Sequence, residues 1–128
     1  MKTVLVSIRN ELLATAVIRV LKECGDFFPF QVSPEVSSDN SNWFKETEAD
    51  ILLMEISYLP SVTMEVRLNE IKQIRKDKPG CKIVVFCDDV ASPRLAYKVT
   101  QLKKDRLIDG FLYTSVTASY LMSTLVSL

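Results

Sequence analysis

One stretch limits what this chain can fold into: Ala49-Asp50-Ile51-Leu52-Leu53-Met54-Glu55-Ile56-Ser57-Tyr58-Leu59-Pro60. Asp50 leads into four apolar residues in a row, Glu55 stands at their far end, and Pro60 soon follows. A continuous apolar run this short, closed by a proline, reads as a strand buried on both faces. Such strands belong to parallel sheets, and the carboxyl edge of an open α/β sheet is where ligands and chemistry are placed. Glu55 is therefore the first candidate site residue.

The flanking sequence supports a sheet of this kind. Thr3 to Val6 is β-rich, and Asn10 can cap a helix over Glu11–Cys24, where Leu12, Leu13, Ala16, Val17, Val20 and Leu21 form an apolar stripe. Phe27 to Val32 reads as a strand that Pro29 confines to an edge. A short helix is expected around Asn42 to Glu48, packing through Trp43 and Phe44. Beyond Pro60 a long helical pattern turns Val62, Val66, Ile71 and Ile74 inward and ends at Pro79-Gly80. Lys82 to Cys87 is a fourth strand. Ser92-Pro93 opens a helix running to about Ile108, with Pro at its first position. Phe111 to Tyr113 is a short fifth strand, and Thr117 to Leu128 closes as an apolar helix. Gly25, Gly80 and Gly110 each fall between a helix and the next strand, as helix C-terminal glycines do. None follows a strand, where a phosphate-cradling loop would need it. Five strands alternating with five helices predict one α/β domain over residues 1–128, its parallel sheet doubly wound as (βα)5.

Composition narrows the function. Sixteen basic residues balance sixteen acidic ones, which leaves no electrostatic footprint for nucleic acid or an anionic membrane on this segment. No run has the length of a signal-peptide core or a membrane span, so a cytoplasmic protein is expected. Histidine is absent, which removes Ser-His-Asp and Cys-His nucleophile systems and most zinc sites. Cys81 and Cys87 bracket one strand, roughly 20 Å apart, too far to bridge. With Cys24, they are expected to be buried, reduced thiols.

The third-strand run, the Asp109-Gly110-Phe111-Leu112 lead into the fifth strand, and the Lys82–Cys87 strand with its Asp-rich turn and Ser-Pro helix start together resemble a response-regulator receiver domain (CheY-like). The resemblance covers essentially the whole chain and implies the flavodoxin-like strand order 2-1-3-4-5. Receiver domains accept a phosphoryl group on an Asp ending the third strand, with Mg²⁺ held by acidic residues. Here that position is Glu55, which reaches about 1.5 Å further than Asp. The family's acidic pair falls on Ser7 and Ile8, its Thr or Ser on Cys87, and its Lys on Thr114. Altered together, these positions imply a pseudo-receiver without a working phosphorylation centre, cofactor or enzymatic activity. The expected role is a phosphorylation-independent signalling and dimerisation module of two-component type. It would be part of a bacterial transcriptional regulator whose DNA-binding output domain lies beyond Leu128. The alternative is a small-ligand sensor, or a stand-alone adaptor, on the same fold.

Each candidate carries a plainer reading beside it. Glu55 is either a permanent stand-in for a phosphorylated Asp or a solvated carboxylate at a strand end, paired with Arg9. Asp88 and Asp89 either join Glu55 in a metal cluster or shape a turn. Cys87 is either a redox sensor or an inert thiol, and Phe111 either the family's switch aromatic or core. The last helix has more apolar residues than one face against a sheet requires, so Leu121, Met122 and Leu125, beside Arg94 and Lys98 on the preceding helix, are expected to form a homodimer interface.

Overall fold

The computed structural model describes residues 1–32 and 48–128. In chain order its elements are β1 (Lys2–Ser7), α1 (Glu11–Cys24), β2 (Phe27–Gln31), β3 (Ile51–Glu55), α2 (Met64–Asp77), β4 (Lys82–Cys87), α3 (Pro93–Lys104), β5 (Gly110–Tyr113) and α4 (Ala118–Val126). The expected helix with Trp43 and Phe44 lies outside the described residues. All strand pairs are parallel, in the order β2-β1-β3-β4-β5. This is the flavodoxin-like order expected from sequence, with β2 and its Pro29 at an edge.

Strand side chains alternate between faces, and here both faces are covered. Val4 and Val6 of β1 and Ile51 and Leu53 of β3 pack with α1 and α4; Leu5, Leu52 and Met54 pack with α2 and α3. That is why β3 carries no polar residue before Glu55. The chain order reverses between β1 and β3, so Glu55 stands at the switch point of the sheet.

Several helix faces differ from the expected stripes. On α1, Ala14, Val17 and Leu21 are buried, whereas Leu12 is 82% exposed and Ala16 is also outside. On α2, Val66 faces outward and Arg67 is fully buried, the reverse of what hydropathy predicts. On α4, Leu121 and Leu125 belong to the core beneath the helix, and Met122 is half-buried against it. The apolar surplus of α4 is thus largely consumed by the sheet, and Leu121 and Leu125 are not free to meet a partner. Cys81 and Cys87 are buried as expected, but Cys24 is exposed because it ends α1 on its outer side.

Helix ends explain another difference. Gly25 closes α1 with φ +79°, a conformation that costs a side-chain-bearing residue. Gly80 and Gly110 have no such role: Lys78 caps α2, and Gly110 begins β5. At the end of α3 the left-handed position is filled by Arg106, φ +61°. Its N–H donates to the Lys103 carbonyl and that of Leu107 to Leu102, both at 3.0 Å, the paired bonds of a Schellman turn.

Two arginines fasten α2 to the sheet, one at each edge. At the amino edge, Arg75 donates to the carbonyls of Leu107 (2.8 Å) and Cys81 (3.0 Å) and pairs with Asp109 at 2.6 Å. Asp109 also accepts the Ile83 N–H at 2.8 Å. At the carboxyl edge, Arg67 donates from Nε to the Glu55 carbonyl (2.8 Å) and from Nη2 to the Ser7 carbonyl (2.7 Å) and hydroxyl (3.1 Å). Its Nη1 meets Glu70 at 3.2 Å. Burial lowers the Arg67 pKa, opposed by the charge of Glu70, its hydrogen bond, and the charge of Glu55. The guanidinium is retained because its donors reach both strand ends at once, which a lysine ammonium cannot do.

Arg67→Ala is expected to destabilise the domain by about 3–5 kcal/mol, since it strips a buried ion pair of one partner, and Arg67→Lys to recover little of that. Arg106→Gly is expected to stabilise it by roughly 0.5–1 kcal/mol, the relief of a left-handed residue less the greater unfolded-state freedom of glycine. Urea unfolding of the three variants checks both.

Candidate functional site

The carboxyl edge of the sheet is built by three turns. The first, after β1, contains Ile8, Arg9 and Asn10 and leads into α1, where the Asn10 side chain accepts the Leu13 N–H at 3.1 Å. The second, after β3, is anchored by the buried Val62, whose carbonyl accepts the Ser57 N–H at 3.0 Å. The Arg9 guanidinium donates to the Pro60 carbonyl and ties these two turns together. The third, after β4, is shaped by Asp88, whose Oδ1 accepts the N–H groups of Val90 and Ala91, each at 3.0 Å.

Glu55 lies between them, 7% exposed. Its Oε1 accepts the backbone N–H groups of Arg9 at 2.8 Å and Asn10 at 3.1 Å. One carboxylate oxygen is thus held by backbone N–H groups, and the Arg9 guanidinium is engaged elsewhere. It sits at the amino end of α1, where free N–H groups and the helix dipole favour negative charge. The chain supplies its own anion to a place suited to one.

The other positions named by the resemblance are arranged differently from a phosphoryl centre. Ser7 is fully buried and gives both its oxygens to Arg67; Ile8 is 1% exposed and belongs to the α1/α4 core. Neither is presented at the edge. Cys87 is buried, and burial, then the charges of Asp89 and Asp88, push its thiol up to about 11. It is protonated at neutral pH, which removes the thiolate a redox sensor needs. Thr114 is exposed and bonded to β4 through its own N–H, which donates to the Cys87 carbonyl at 3.1 Å. Phe111 is half-buried, 5.7 Å from the Tyr113 ring, with the Lys103 ammonium 5.9 Å from its centroid. Asp88 has the turn role. Among the described residues, no group of three or more His, Cys, Asp or Glu is placed to hold a metal ion.

These turns border an open, cleft-like cavity of about 560 Å³. Leu12, Leu13 and Ala16 of α1, Ile56, Tyr58 and Leu59 of the second turn, and Phe86 and Cys87 of β4 give it a mainly apolar lining. Glu55, Asp88 and Thr114 contribute polar groups. The small-ligand alternative expected a pocket at this vacated edge, but sequence reasoning placed Leu12 and Ala16 in the core and did not see α1 as one of its walls. The available signal was an apolar stripe on α1 wider than one sheet face needs. Arg67 was missed because a charged residue on a helix reads as solvated; Glu70, three residues on, was the cue.

No protein-family model and no curated protein matches the chain. Solved structures do. It is similar to a DNA-binding response regulator of the LuxR family from Staphylococcus aureus, with TM-score 0.76, 17% identity and coverage of 99% of this chain and 98% of that one. It is similar to RcsB from Salmonella enterica serovar Typhimurium, bound to promoter rprA in the presence of phosphomimetic BeF3⁻, with TM-score 0.74, 15% identity and coverage of 99% and 98%. A structure of two RcsB dimers bound to two parallel DNAs matches with TM-score 0.72 and 15% identity, over 98% of this chain and 59% of that one. The signal receiver domain of a Vibrio parahaemolyticus protein also matches, with TM-score 0.70 and 13% identity over 98% of this chain and 88% of that one. At these identities the likeness is one of fold, and the fold is that of response-regulator receiver domains.

Proposed function

We propose that this domain is a receiver-like signalling module that works without phosphorylation. The observation that carries this reading is the position of Glu55: its Oε1 is committed to the Arg9 and Asn10 N–H groups. Mg²⁺ ordinarily takes more than one carboxylate together with phosphate oxygens, and an in-line attack here would have to use Oε2 while Oε1 stays bonded to the turn before α1. With Ser7 and Ile8 turned inward and Thr114 where the family has its cation, the charges for that chemistry are missing. Glu55 instead holds a fixed negative charge at the switch point and keeps the first turn in one conformation. Incubation with acetyl phosphate and Mg²⁺, followed by intact-mass measurement, is expected to give no phosphoryl adduct. A stable adduct on Glu55 would overturn this reading.

The similarity to bacterial DNA-binding regulators favours a place in transcription regulation, with DNA contacted by an output domain outside these residues and not by this domain. Self-association through α3, β5 and α4 is part of the proposal. With Leu121 and Leu125 in the core, the surface that would carry it is Tyr97, Arg94 and Lys98 on α3 with Tyr120 and Val126 on α4, all exposed. Aromatic side chains flanked by charge suit a small two-fold interface. A stable one would bury about 1,200 Å² or more. Sedimentation over a concentration range is expected to give a dimer that Tyr97→Glu weakens at least tenfold. A monomer at all concentrations would remove self-association from the proposal.

A further inference from the structure

The carboxyl-edge cavity has the size of a small-molecule site, about 560 Å³ in a usual range of roughly 300–1,000 Å³. Its walls come from separate parts of the chain. Leu12 and Ala16 present apolar surface from α1 and Tyr58 and Leu59 from the turn after β3, with the fully buried Phe86 of β4 behind them. Leu12, Tyr58 and Leu59 are 82%, 68% and 43% exposed. Apolar residues left open around a concave site are a cost in water that a ligand can offset.

Charge decides the class of ligand. Among the described residues the lining contains Glu55 and Asp88 and no lysine or arginine. The described hydrogen bonds of Glu55 use only Oε1. No fully buried side-chain oxygen or nitrogen among the described residues lacks a partner. Oε2 therefore meets solvent, and Glu55 does so as part of the cavity lining. Asp88 likewise uses Oδ1 for its turn. The nearest cation in sequence, Arg9, has its guanidinium on the Pro60 carbonyl and is not part of the lining. An anion would meet two carboxylates there, and a neutral apolar molecule would leave Oε2 of Glu55 covered without a donor, which is costly. A cationic nitrogen satisfies it, and the Tyr58 ring adds a face that favours a cation.

We propose that the cavity binds a small organic amine: an aromatic or aliphatic body against Leu12, Ala16 and Leu59, and an ammonium directed to Glu55. This rests on the phosphorylation-independent reading, because it gives the vacated edge an input of its own. Binding would tie the turn after β3 to α1 and β4.

The test is an NMR titration of the isotopically labelled full chain with two molecules of the same ring and linker, tryptamine and indole-3-propionic acid. Tryptamine is expected to give saturable shifts centred on the amides of Leu12, Ala16, Glu55 and Phe86, and the acid to bind at least tenfold more weakly. Glu55→Gln keeps an oxygen for the Arg9 and Asn10 N–H groups, so the fold should persist. It is expected to weaken tryptamine about tenfold, equivalent to about 1.4 kcal/mol, and to abolish the preference over the acid. Ala16→Trp, at an exposed wall position, should fill the cavity and remove binding while the spectrum of the core stays unchanged. Shifts that do not saturate, that centre elsewhere, or that are equal for amine and acid would overturn the proposal. The phosphodonor result is independent of all of these, so failure of the amine to bind leaves the phosphorylation-independent reading standing, and a phosphoryl adduct removes it whatever the amine does.

Discussion

The guanidinium of Arg67 is the constraint on which the functional edge depends. β1 and β3 end side by side, and Arg67 reaches the last carbonyl of each. Arg67 answers both, at 2.7 Å on Ser7 and 2.8 Å on Glu55, from a fully buried position. Taking a guanidinium out of water is expensive, and burial does lower its pKa. What makes the arrangement tenable is that each donor group has an acceptor and Glu70 supplies the counter-charge at 3.2 Å. A buried polar network with every member paired is rigid; one with a member missing is worse than an apolar core. The floor of the site is accordingly held in a single geometry.

That rigidity bears directly on Glu55. Its backbone carbonyl is fixed by Arg67 from the α2 side, and its carboxylate by the Arg9 and Asn10 N–H groups on the α1 side. One residue thus couples the two layers of helices through the sheet. Through Oε1 the carboxylate acts as a strut between the end of β3 and the turn before α1. The longer side chain is what allows it: the extra carbon lets the carboxylate reach the turn before α1.

How much of this was legible in the sequence follows from which signals are local. The sheet was readable because β3 and β4 are apolar on both faces, and only a doubly covered parallel sheet asks for that. Pro29 correctly marked β2 as an edge strand. Helix faces were less readable where polarity and burial disagree. Val66 outside and Arg67 inside are adjacent residues exchanged relative to hydropathy, and only the positions of the Ser7 and Glu55 carbonyls, remote in sequence, explain the exchange. Leu121 and Leu125 looked surplus because the depth of sheet beneath α4 is not visible from the helix alone. Gly80 and Gly110 looked like caps by their place, yet Arg106 takes the left-handed position that glycine usually holds. The identity of Glu55 as a site residue was legible; its partners, two backbone N–H groups, have no sequence signature.

The residues at this edge are consistent with one another without the charges of a phosphoryl site. A phosphoryl site works by concentrated charge: acidic groups hold a dication, and the dication and a lysine hold the phosphoryl oxygens. Removing the acidic pair alone would have left a cation facing an unpartnered carboxylate, and removing the cation alone would have left clustered carboxylates repelling one another. With Ser7 and Ile8 folded into the interior and Thr114 at the rim, neither imbalance exists. The Glu55 carboxylate accepts the Arg9 and Asn10 N–H groups at the amino end of α1, which favours its charge. The space beside it is bordered by Leu12, Ala16 and Leu59. Apolar area left open there is a cost in water, and the carboxylates of Glu55 and Asp88 in the same lining disfavour an anion.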